Sequence, residues 1–186
     1  LKKMNFEIQY NKINIFDRLF APYGILGFIM LILIFIRVMA PKYQMKWAVH
    51  SLAILVFISF IAHTLGLAAR WYIAGHAPWS NGFESMIFIG WATVLSGLIF
   101  YKNSPISLAS TSVLAALIVY VAHLSWMNPE ITNLVPVLKS YWLTIHVAII
   151  TASYGFLALG SFMGFLNLIF FIFQTKSNKK RIQEKV

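Results

Sequence analysis

The chain predicts an all-α fold, a polytopic transmembrane helix bundle of about five spans, and three observations predict it. Hydrophobic residues make up 60% of the 186 and charged residues only 11%, with a mean hydropathy of +0.76. A soluble domain of this size needs a polar shell that such a composition cannot supply. Five apolar runs reach the roughly 20 residues needed to cross about 30 Å of hydrocarbon. The net charge of +10 lies between those runs and at the ends, where it reads as topology and contact with an anionic lipid bilayer, not as a nucleic-acid surface.

Residues 1–18 form a polar, outer-side lead-in with Lys2, Lys3, Lys12 and Arg18 against Glu7 and Asp17. A transmembrane module occupies 19–175, and 176–186 is a basic cytoplasmic tail. Within the module the spans are Leu19–Ile36, Trp47–Ala69, Phe83–Tyr101, Ile106–Leu124 and Trp142–Phe173. Orientation follows from lysine and arginine in the short loops. One side holds Arg37, Lys42, Lys46, Lys102 and the five basic residues of the tail, and is expected to be cytoplasmic. The loops of the other side hold Arg70 and Lys139. A start at Leu1, with no signal peptide, suits a piece of a longer chain. The absence of cysteine excludes disulfides, thiolate metal sites and thiol nucleophiles from this stretch, and it carries no CxxCH.

Four of the five histidines, His63, His76, His123 and His146, fall toward the outer side, and His50 toward the inner one. Their convergence suggests a shared site. An ionisable side chain in hydrocarbon is costly and is a functional suspect by default. His146 lies in the first turns of the fifth span, after the interfacial pair Tyr141 and Trp142. At about 100° per residue, Ser153, Gly160, Gly164 and Asn167 fall on its side of the helix. Small and polar residues favour helix–helix contact in lipid, so this face is expected to turn into the bundle. Ser59, His63, Gly66 and Arg70 share a face of the second span, and Ser112, Ala116 and His123 one of the fourth.

An imidazole here can ligate an iron porphyrin through one ring nitrogen while a hydrogen bond orients the other, or it can make an interhelical hydrogen bond. Under the first reading Trp142 and Tyr141 supply an aromatic wall, and Lys139 or Arg70 the cation for a propionate. The second notable stretch is RWYIAGHAPWSNGFESM, residues 70–86. Asn81 with Glu84 three residues later reads as a capping box opening the third span, which accounts for Glu84 without catalysis. His76 and Trp79 in the same loop can contact a ligand or fold over the helix ends. No Ser-His-Asp grouping, HExxH or Walker loop is present.

Residues Gly75-His76-Ala77-Pro78-Trp79-Ser80-Asn81-Gly82-Phe83-Glu84-Ser85 resemble the GH-x-P-x-SN-x-(Y/F)-ES stretch of the CcsA/ResC proteins of system II cytochrome c maturation. Val135 to Leu143, followed by His146-Val147 and Ser153-Tyr154, resembles that family's second signature. The segment NKINIFDRLF looks like the join in fused CcsBA proteins. The resemblance implies carriage of haem b to the outer face of the cytoplasmic membrane. There the haem is held and attached to CxxCH motifs of apocytochrome c, beside a CcsB/ResB-type subunit or fused domain. It also implies two outer histidines flanking a tryptophan-rich WWD segment, of which His146 matches the first. The WWD segment and the second histidine are not in this sequence, so the chain resembles the amino-terminal part of the CcsA module, and whether it acts as a lyase stays open.

The expected site is therefore His146 as iron ligand, Trp142 and Trp79 as pocket walls, His76 as a contact, and Arg70 and Lys139 as propionate partners. Two rivals remain: a scaffold that packs against other maturation subunits without touching haem, and a small-solute transporter.

Overall fold

A computed structural model describes residues 2–39, 45–124, 129–131 and 140–174. The described residues form six helices: α1 Lys2–Ile13, α2 Ile15–Met39, α3 Lys46–Ala74, α4 Gly82–Phe100, α5 Pro105–His123 and α6 Tyr141–Ile172. No strand occurs among the described residues. Five of these helices, α2 to α6, are long and apolar enough to cross a membrane, so the chain is a multi-pass membrane protein. Lys42, Lys139 and the tail lie outside the described residues.

Each boundary has a local cause. Most of the polar lead-in is the helix α1, and it is set off from α2 by Asn14 in the left-handed region at φ 46°. Asn14 tolerates that conformation because its amide reaches the Asp17 carboxylate while its N–H donates to the Tyr10 carbonyl at 3.2 Å. The first span consequently begins at Ile15 rather than Leu19. Gly75, also left-handed at φ 75°, ends α3 and donates its N–H to the Trp71 carbonyl at 2.9 Å. Asn81 caps α4 by accepting the Glu84 N–H at 2.8 Å. Pro105 occupies the first turn of α5, where its missing N–H costs nothing.

The helices pack in the order α3, α2, α5, α4, α6, with α5 at the centre. That centre is built from small side chains: Ala109, Ser110, Thr111, Ser112, Ala115 and Ala116 are all buried. Lipid tails are as apolar as leucine, so helices associate by close backbone approach and not by exclusion of oil. At Gly27 a Cβ would stand 2.7 Å from the Ser112 Cβ, and at Gly97 3.0 Å from the Leu108 Cα. A Cβ on Gly155 of α6 would lie 2.7 Å from the Thr93 nitrogen of α4.

α6 corrects an expectation. Its buried stripe is Thr151, Gly155, Leu159 and Phe170, turned toward α4. His146, Ser153, Gly160, Gly164 and Asn167 are all exposed, and neither Gly160 nor Gly164 has anything within 4 Å of its Cβ position. Gly155 stands nine residues from His146, about half a turn around the helix. Two stripes of small residues compete on this helix. The described bundle uses the one opposite His146, because Gly155 admits the α4 backbone at Ala92 and Thr93.

Candidate functional site

Antiparallel connectivity brings the start of α2, the end of α3, the start of α4, the end of α5 and the start of α6 to one end of the bundle. The two stretches singled out from the sequence therefore meet. The Trp79 indole N–H donates to the Thr144 carbonyl at 3.3 Å, across 65 residues of sequence. The same ring packs edge-on against Trp71 at 5.6 Å and tilted against Phe88 at 4.7 Å. Trp79 is thus a half-buried staple between the α3–α4 loop and α6, more than an open wall.

Beneath that loop lies a buried ion pair. Arg70 on α3 and Glu84 on α4 are 2% and 1% exposed, with Arg70 Nε donating to Glu84 Oε1 at 2.9 Å. The other arms of the guanidinium reach the Pro129 carbonyl at 2.9 Å and the Glu130 carbonyl at 3.4 Å. The second Glu84 oxygen accepts the Ser80 N–H at 2.9 Å. One pair therefore joins α3, α4, the 75–81 loop and the α5–α6 connection. This changes two expectations. Glu84 does more than close a capping box, since Asn81 caps α4 while the Glu84 carboxylate turns to Ser80 and Arg70. Arg70, expected to meet a propionate, has its charge compensated inside the fold. It also borders a cleft of about 420 Å³ between α1 and residues 129–131, which Tyr10, Phe16 and Phe83 help to line.

The histidines do not form one cluster. No group of three or more His, Asp or Glu able to hold a metal ion occurs among the described residues. His63 is fully buried, and its Nδ1 lies 3.3 Å from the Tyr23 hydroxyl, an α2–α3 contact roughly two turns deeper than Arg70. His123 is 2.7 Å from the Asp17 carboxylate and tethers α5 to α2. His76, largely covered, has its Nδ1 3.2 Å from the Ala77 carbonyl and 3.9 Å from Glu84.

His146 stands apart, exposed two residues after Thr144, with Trp142 on the preceding turn 77% exposed. Tyr141 packs edge-on against Trp142 at 6.3 Å. An accessible imidazole beside accessible aromatic rings fits the face and axial position of a flat porphyrin. Lys139 lies outside the described residues. The roles of Glu84, Asp17 and the Thr144 carbonyl were missed from sequence. For Glu84 a signal existed: a buried arginine on an adjacent span requires a carboxylate within reach.

A family model described as Cytochrome C assembly protein matches residues 79–186, from the stapling tryptophan through α6. Over 170 residues, 91% of the chain, it is 44% identical to Protein NrfI of Wolinella succinogenes, and it spans 19% of that protein. It is 38% identical over 120 residues to the cytochrome c biogenesis protein CcsA of Cyanophora paradoxa, covering 62% of the chain and 37% of the relative. With the CcsA of Prochlorococcus marinus it shares 31% identity over 162 residues, 81% of the chain and 51% of the relative. The chain thus spans from a fifth to about half the length of these relatives. It belongs to the cytochrome c assembly protein family.

Proposed function

We propose that this chain serves cytochrome c biogenesis by holding haem b at the outer face of the cytoplasmic membrane, for attachment to an apocytochrome c. In this reading His146 is an axial ligand, Trp142 stacks on the porphyrin, and Lys139 meets a propionate. Arg70 acts from beneath as a positioning residue, with Trp79 and His76 in the loop it holds. The observation that carries the reading is the Trp79–Thr144 bond, which fastens the motif loop to the turn of α6 that presents His146. When bound, the haem supplies the iron and the vinyl groups; the chain supplies grip and orientation. A CcsB/ResB-type subunit or fused domain is the proposed partner.

The test is the absorbance of the full-length protein carrying this sequence, purified from haem-replete membranes. A Soret band is expected in the wild type and a loss of most of it in His146→Ala, with helicity unchanged. A band indifferent to that substitution overturns the reading. The exposed stripe of Ser153, Gly160, Gly164 and Asn167 favours a second reading, a scaffold that packs against further helices. A colourless preparation that still co-purifies with its partner subunit would select it.

A further inference from the structure

The lead-in helix α1 is turned the opposite way from a helix held by apolar packing. Met4, Ile8 and Ile13 stand more than half exposed, whereas Glu7, Tyr10, Asn11 and Asn14 border the cleft of about 420 Å³. These four occupy positions i, i+3, i+4 and i+7, one polar stripe along the helix. Packing alone would put that stripe on the side away from the protein. Phe83 and Glu130 line the facing wall. The volume falls within the roughly 300–1,000 Å³ of clefts that hold a ligand.

The lining says which ligand. The chain carries 15 lysine and arginine residues against five aspartate and glutamate, yet two of those five, Glu7 and Glu130, line the cleft beside one cation, Arg70. That cation is already compensated by Glu84. Lys3, one turn before Glu7 on the same stripe, lies over the Tyr72 ring instead, 5.9 Å from its centroid. Glu7 makes no ion pair among the described residues. The Tyr10 hydroxyl is buried and has no hydrogen-bond partner among them either, a deficit that calls for an explanation in a native fold. A bound polypeptide answers both: a backbone carbonyl accepts from Tyr10, and a lysine or arginine side chain meets Glu7. The aliphatic stem of such a side chain suits the Phe83 wall.

We infer that the cleft between α1 and residues 129–131 binds a segment of the polypeptide that receives the haem, through a basic side chain held at Glu7. The inference rests on the biogenesis reading, which supplies such a polypeptide at this end of the bundle.

Two dye-labelled peptides containing a reduced CxxCH test it, one with flanking lysines and one with glutamines in their place. Each is titrated, with fluorescence anisotropy as the readout, against the haem-free full-length protein in nanodiscs of phosphatidylcholine, a lipid of no net charge. The lysine peptide is expected to bind more tightly than the glutamine one. Glu7→Gln should weaken it by about 5-fold, the worth of one partly exposed ion pair, and leave the glutamine peptide unchanged. Tyr10→Phe should weaken both alike. Gln9→Lys makes the same change of charge at an exposed position outside the cleft, and should alter neither. Retained helicity in each variant is the folding check. Equal affinity for the two peptides, or equal loss in Gln9→Lys and Glu7→Gln, overturns the cleft as the site. So does binding no stronger than to nanodiscs without protein, which marks a lipid contact only. The titration uses no haem, so its failure leaves the Soret test of His146 standing. A missing Soret band with lysine-peptide binding intact overturns the haem reading alone.

Discussion

At the scale of single residues, Arg70 and Glu84 have most to lose from substitution. Two charges taken out of water recover their desolvation only through each other and through well-placed hydrogen bonds. Here the partners are in place: Glu84 for Arg70 Nε, the Pro129 and Glu130 carbonyls for the remaining arms, and the Ser80 N–H for the second carboxylate oxygen. Removing one charge strands the other. Arg70→Gln is therefore expected to destabilise the folded protein by about 3–5 kcal/mol. The double variant Arg70→Gln/Glu84→Gln should recover much of that loss, measured as unfolding by denaturing detergent in mixed micelles. Two single variants whose effects simply add would show that the pair is not coupled. His146→Ala offers the contrast: its side chain is exposed and makes no hydrogen bond or ion pair among the described residues, so its effect on unfolding should stay within about 0.5 kcal/mol. Any larger functional loss then belongs to the ligand and not to the scaffold.

At the scale of the helix, α6 carries two stripes that composition alone does not rank. Gly155 meets the backbone of Ala92 and Thr93, whereas Gly160 and Gly164 meet nothing within 4 Å. Gly155→Val should accordingly separate α6 from α4 and destabilise by about 1–3 kcal/mol, the usual consequence of overpacking a tight contact. Gly160→Val should leave the fold of this chain unchanged. The reverse order in a thermal-stability assay would assign the helix face wrongly. Much of the rest was legible beforehand. The five spans follow from hydropathy, and His63, Gly66 and Arg70 on one face and Ser112 and Ala116 on another turn inward as their spacing implied, because polar residues in lipid seek protein partners; Ser59 is only half-buried, and His123, on the face of Ser112, is exposed. What sequence did not disclose was which residues answer one another across helices. Trp79 with Thr144, Arg70 with Glu84 and His123 with Asp17 are long-range pairings, and periodicity within one helix carries no information about its neighbour. The face of α6 failed for a related reason. Histidine and asparagine were weighed as inward-seeking, yet the contact went to the stripe where a glycine admits another backbone.

At the scale of the whole molecule, the placement of charge bears on which end faces which compartment. Counted along the sequence, both ends carry basic residues, since Lys2, Lys3, Lys12 and Arg18 belong to the end that bears the motifs. The fold removes one cation from that count: Arg70 is internal and neutralised by Glu84. Asp17 lies at the same end, near Arg18. At the opposite end Lys46 and Lys102 remain exposed, with Arg37 partly so. The short-loop excess is thus sharper in three dimensions than in the sequence, and on that ground we propose that the His50 end faces the cytoplasm. Because these 186 residues contain no cysteine, single cysteines placed in them report without background from this stretch. Ser140 and Asn103 are exposed at opposite ends, just before α6 and between α4 and α5. Ser140→Cys should react with a membrane-impermeant maleimide in spheroplasts, and Asn103→Cys only in inverted vesicles. The opposite pattern would put His146 and Trp142 on the cytoplasmic side. No apocytochrome awaiting attachment on the outer face could then reach haem held there, even if His146 still bound it.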